Sequence, residues 1–202
     1  MRFILRYLLF AIVIALHVGL APVVYARNAD LDAFFDQFAA EWVENDPDLA
    51  TATRYFSGPR QQRLERMLTP ETRQWRNERA KRAERGIRAL EKFDPSTMSD
   101  TQRISAELMR WQLQAVIDAN AFADYEFPLN QFRGANVGLI DGLTVQHPLA
   151  TAQDADNYLA RMSQIDERMK EALAEARRLA RKNMIPPRFI LEATLRQMRT
   201  FM

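Results

Sequence analysis

"AQDADNYLARMSQIDERMKEALAEARRLARK", residues 152–182, is the stretch on which the fold turns. Ala155, Tyr158, Met162, Ile165, Met169, Ala172, Ala176 and Leu179 follow one another in alternating steps of three and four. That period puts all of them on one side of an α-helix, in the pattern of a heptad seam. The spacing predicts one helix from about 152 to 182. Its alanines would let a neighbour come close, so an intramolecular hairpin is expected rather than a long rod.

Toward the carboxy terminus, "KNMIPPR" turns the chain into a closing helix, with Pro187 at a first-turn position that needs no amide hydrogen. Leu191, Leu195, Met198 and Met202 share one side of it, and no glycine, asparagine or proline follows as a stop signal. The expectation drawn from this is a helix whose packing partners belong to a continuation of the chain. A naturally short chain ending in a frayed helix is the alternative.

Toward the amino terminus the pattern breaks. Residues 123–150 hold three of the six glycines and two of the nine prolines, and no period lasts through them. A connection this long inside a compact domain is often functional or packed onto a neighbour. Upstream, "SDTQ" at 99–102 fits a capping box for a helix carrying Ile104, Leu108, Trp111, Ala115, Ala119 and Phe122 inward. Before that, "TPET" predicts a long helix capped by Thr69 and running to about Phe93. A short helix from Asp46 and Pro47 through "LATATRYF" should end at "SGP". The first helix, about 30–44, lines up Leu31, Phe34, Phe35, Phe38 and Trp42. No strand pattern is evident. The expected architecture is all-α, a bundle of about five to six helices with one long irregular segment near 123–150.

Residues 1–26 read as an address rather than fold. Arg2 and Arg6 precede the apolar run "YLLFAIVIALHVGL", and Val24 and Ala26 suit the −3 and −1 sites of a signal peptidase, with cleavage after Ala26. The run is about fourteen residues, short of the roughly 20 that span a bilayer. Export, to a periplasm, is expected, and an uncleaved leader would be the only membrane attachment. The domain that remains is 27–202. Losing Arg2 and Arg6 leaves 26 basic residues against 26 acidic ones, a neutral balance that gives no electrostatic reason to expect nucleic acid. The absence of cysteine excludes disulfides, thiolate metal sites and a cysteine nucleophile.

Candidate chemistry is thin. Arginines at 73, 76, 79, 82, 85 and 88 drift around a helix by about 60° per step, so they form no stripe. Interleaved acids should pair with them locally, as Glu78–Arg82 and Glu84–Arg88, giving a solvated face; an anion or lipid-headgroup site is the alternative. Two histidines exist, and His17 leaves with the leader, so His147 alone cannot build an ordinary zinc site. No G-x-S-x-G accompanies it, and a loop histidine is usually a hydrogen-bonded structural residue. "YEFPLNQFRG" at 125–134 has the make-up of a pocket rim, and Tyr125, Asn130, Gln131 and Arg133 are the candidate binding residues. The same aromatics could instead plug a bundle end while the polar groups satisfy loop backbone.

"LDAFFDQFAAEWVENDPDLAT", the arginine-rich helix, "YEFPLNQFRG" and "PPRFILEATLRQM", in that order, resemble the amino-terminal part of the bacterial "domain of unknown function 885" family. The resemblance implies an exported or lipid-anchored helical hydrolase with zinc-dependent peptidase or carboxypeptidase chemistry. The family's histidine-and-glutamate zinc motif lies several hundred residues further along. No catalytic or metal residue therefore transfers to any position here, and no cofactor is expected in this chain. The implied partners are a missing carboxy-terminal portion of the same protein and a peptide substrate. A free-standing periplasmic binding module without catalysis is the alternative.

Overall fold

A computed structural model describes residues 28–200. The leader, the cleavage point at Ala26 and Met202 lie outside the described residues. Among those described there are no strands, and nine α-helices: α1 Ala29–Glu44, α2 Pro47–Thr53, α3 Gly58–Leu64, α4 Arg73–Leu90, α5 Asp100–Ala121, α6 Ala135–Asp141, α7 Ala152–Met162, α8 Ile165–Ala180 and α9 Arg188–Thr200. The all-α expectation holds; the helix count exceeds the expected five to six. None of the described helices is long and apolar enough to cross a membrane.

The first layer is α1 against the α4–α5 hairpin. Asn28 caps α1 by accepting from the Leu31 amide, and Leu31 is wholly buried with Leu90, Met98 and Ala106, flanked by Phe34, Phe35, Phe93 and Met109. The expected capping box of α5 is present. Its Gln102 also stitches α5 to α1, accepting from Asn28 N at 3.1 Å and donating to Asn28 O at 2.9 Å and Asp32 at 2.8 Å. Small residues set the crossing: Ala80, Ala83 and Gly86 are buried on α4. A Cβ at Gly86 would lie 2.5 Å from the Phe38 ring and 2.8 Å from Leu113, so only glycine lets α1, α4 and α5 meet there.

This crossing inverts the expected face of α5. Gln102, Ala106 and Leu113 are buried, whereas Ile104, Leu108, Trp111 and Phe122 are 52–68% exposed. Ala115 and Ala119 are exposed as well. The close approach to α4 selects the slimmer side chains, and the bulkier stripe is left facing outward.

Several expected boundaries also move. Thr69 does not cap α4: its hydroxyl donates to Asp46 at 2.7 Å and accepts from Asp48 N at 2.9 Å, and Thr72 caps instead. "SGP" opens α3 rather than only closing α2, because Pro59 suits a first turn and Arg54 has already ended α2 at φ 47°. Residues 123–150 are less irregular than expected. They hold a 3₁₀ turn at Ala123–Tyr125, then α6, then one π-helical turn at Gly142–Gln146. Seven residues are too few to show a period, and Gly142 continues the right-handed helical backbone instead of breaking it. The long helix at 152–182 is interrupted at Ser163–Gln164. There the Ser163 hydroxyl and the Gln164 amide both donate to Ala160 O, drawing that carbonyl from its helical duty. Gln164 also donates to Arg66 O at 2.6 Å and accepts from Leu68 N at 3.2 Å, tying the break to the linker before α4.

The arginines of α4 are not a solvated face of local pairs. Arg79 meets Asp46 at 2.6 Å between the rings of Trp42 and Trp75, and Arg82 meets Glu41 at 3.2 Å. Glu84–Arg88 does form at 3.7 Å, but Glu78 pairs with Lys81, not Arg82. Arg73, with Arg178 and Lys182 of α8 and its end, converges on Asp124 and holds that carboxyl far below the usual range.

Candidate binding cleft

The heptad seam predicted the wrong inner face for α7. Its buried residues are Asp154, Asn157 and Arg161, one position ahead of the seam, while Ala155 and Met162 are exposed. Along α8 the two stripes share the interior: Ala172 and Leu179 are buried, and so is Arg168. The protein thus encloses a row of polar groups, and α2, the linker after α3, α6 and its π turn close around them.

Arg161 is the most unusual of these, 1% exposed. Its Nη2 donates to Asp48 Oδ1. Its Nε and Nη1, which carry three of the five guanidinium N–H groups, have no hydrogen-bond partner. Burial pushes the Asp48 carboxyl up, with Arg161 drawing it partly back, and burial likewise pulls Arg161 down. Such a desolvated pair stabilises little by itself, and each unmet buried donor costs about 1–3 kcal/mol. Arg168 is 6% exposed, donates to Glu71 at 2.8 Å and Glu171 at 2.9 Å, and keeps Nε unpaired. Thr69 joins Asp48 to Asp46, so the network runs from Arg161 to Arg79.

Two cavities meet at Glu71. The inner one, about 350 Å³, has Arg161, Arg168, Asp48 and Asp141 in its walls beside Leu49, Leu68 and Leu139. The outer one, about 590 Å³, is walled by Trp75, Arg76, Phe127, Phe132, Asn130 and Arg133. Of the four sequence candidates, Asn130 and Arg133 line the outer chamber. Asn130 also holds the loop, donating to Phe127 O and accepting from the Phe132 and Arg133 amides. Gly134 must lack a side chain because a Cβ would sit 2.3 Å from Asn130 N. Tyr125 points away, 71% exposed beside Phe122, and Gln131 has its Oε1 buried without a partner; neither lines the chamber. The loop therefore does both things the sequence left open, satisfying its own backbone and walling a cavity.

His147 is structural in its contacts. Its Nε2 donates to Asp154 O at 3.0 Å, since a carbonyl can only accept, and its ring lies 5.5 Å from Tyr158. The inner arginines were not foreseen. A signal existed: 154, 157, 161, 164, 168, 171, 175 and 178 repeat the three-and-four spacing with polar residues throughout.

An all-α unit with a polar-walled, two-chambered cleft is what fold and site define. The chain belongs to the family described as bacterial protein of unknown function (DUF885), which matches residues 47–202. The match begins at the first residue of α2 and takes in every lining residue of both chambers except Asp46, leaving only α1 of the described helices before it. No curated protein and no solved structure matches the chain.

Proposed function

We propose that this chain is the exported, substrate-side helical portion of a peptidase-like hydrolase, receiving a peptide in the cleft and breaking no bond itself. The observation that carries the reading is the junction of the chambers at Glu71. A cavity with aromatic walls and amide groups shares Glu71 with one that has fixed charges, a layout suited to an extended peptide with a polar end. Family membership and the resemblance supply the hydrolase class. The zinc implied for full-length relatives does not fit here. Among the described residues no group of three or more His, Cys, Asp and Glu could hold a metal, and His147 Nε2 is engaged by Asp154 O. Bond cleavage in this reading belongs to a carboxy-terminal portion of the protein.

Trp75 stands in the outer wall and supplies the test. Titrating the purified chain with short apolar peptides should quench emission, and Trp75→Phe should remove that response while Trp42 and Trp111 remain. Peptide cleavage by the chain alone, abolished by a chelator, would overturn the proposal. A second reading, a free-standing periplasmic binding module, draws on the same mixture of aromatic, amide and charged side chains in the two cavity walls. Peptide binding unaffected by any carboxy-terminal portion would select it.

A further inference from the structure

The inner chamber is more specific than its volume suggests. Arg161 has three N–H groups that no protein oxygen accepts, and it stands in the wall of the inner chamber. A Cβ at Gly142 would lie 3.7 Å from Arg161 Nη2, so the guanidinium packs against the residue that follows Asp141. Asp141 lies in the same wall, is exposed, and has Gln146 Nε2 at 3.4 Å as its hydrogen-bond partner; among the described residues no cation pairs with it. By contrast Asp46, Asp48 and Glu71 each already face an arginine. The local imbalance is therefore double: donors lacking an acceptor at Arg161, and a carboxylate lacking a cation beside it.

A simple anion would remedy only the first and would add negative charge to a wall that already carries four carboxylates. A simple cation would leave the arginine donors unmet. A zwitterion remedies both. Leu49, Leu68 and Leu139 supply an apolar patch in the same chamber, which selects for an aliphatic side chain. We infer that the inner chamber is a site for a free aliphatic α-amino acid. Its carboxylate is received by Arg161 with Arg168 behind it, and its ammonium by Asp141. The carboxylate enters by sharing Nη2 with Asp48 or displacing it, which exposes Nη1 to the ligand. The inference rests on the chamber described above, but not on the chain's acting on peptides.

The test is calorimetric titration of the full chain with leucine, N-acetylleucine and leucine amide. Leucine should bind, and each capped form should bind about tenfold more weakly or worse, the scale of losing one charge-assisted contact. Asp141→Asn, an exposed substitution that leaves the fold intact, should remove the preference for leucine over N-acetylleucine. Arg161→Lys should weaken leucine toward the affinity of its amide while changing the amide little. Equal binding of all three ligands, or no binding of leucine to a chain that still quenches with peptide, overturns the inference and leaves the peptide reading standing. Leucine binding that obeys both variants, with no peptide response at Trp75, upholds the inference and sinks the peptide reading.

Discussion

Replacing Gly86 by alanine sets two opposing effects against each other at the crossing of α1, α4 and α5. Alanine in a helix interior is favoured over glycine by about 1 kcal/mol. Against this, the new methyl would sit 2.5 and 2.7 Å from two atoms of the Phe38 ring and 2.8 Å from Leu113 Cδ1. Phe38 cannot swing freely, because its ring packs on Trp42 at 5.8 Å and Phe34 at 6.0 Å. Leu113 is buried. Three contacts under 3 Å put the overpacking cost in the upper part of the usual range, at about 2–3 kcal/mol, so the net effect is a loss of about 1–2 kcal/mol. In a domain of this size that lowers Tm by about 2–8 °C. Gly138→Ala in α6 is the internal control, since a Cβ there meets nothing within 4 Å. The same chemical change should then raise stability by about 0.5–1 kcal/mol. Thermal and urea melts followed by circular dichroism read both. A Gly86→Ala protein that melts at or above the parent would mean that the three helices do not converge as described.

Other expectations follow from particular contacts. Gln102→Ala removes the reciprocal half of the α5 capping box and its bonds to Asn28 and Asp32, and urea unfolding should show a loss of about 2 kcal/mol. Trp111→Ser should change stability by less than about 0.5 kcal/mol, since the side chain is 68% exposed; a large loss would restore the inward face read from sequence. Asp124 has a folded pKa held below its unfolded value of about 4, so its contribution is complete above that pH and is lost as pH falls through the lowered value. Asp124→Asn should therefore melt below the parent at neutral pH, and the gap should close in acid. Expression with the leader should yield a secreted species whose mass begins at Arg27; a full-length species fixed in the membrane fraction would show the leader retained.

Helix existence was legible in the sequence where caps and long periods agreed. Asn28, Asp46 and Ser99 mark starts that the structure keeps, two of them read correctly in advance at Asp46 and Ser99. Face selection was not legible. α5 has a bulky apolar stripe and a slim one, and only the presence of Gly86 on the partner helix decides which turns inward. In residues 154–179 two stripes with identical spacing lie one residue apart, and hydrophobicity alone picks the apolar one. Burial of the polar stripe depends on Asp48, Glu65 and Glu71, which lie 92 to 113 residues upstream of their partners and pair with them only in three dimensions. The 125–134 loop was legible only in part: rim and plug were both open from its composition, and Asn130 and Arg133 line the chamber whereas Tyr125 and Gln131 do not. The inner arginines were not legible.

The interruption at Ser163–Gln164 places Arg161 and Arg168 on separate rods joined by a joint, and Gln164 clips that joint to the Leu68 amide and the Arg66 carbonyl. Any change in the bend alters the spacing of the two guanidinium groups and pulls on the strap that carries Glu71. Occupancy of the inner chamber should therefore register as slowed deuterium uptake at the Leu68 amide, which the joint holds through Gln164 and whose side chain borders the chamber.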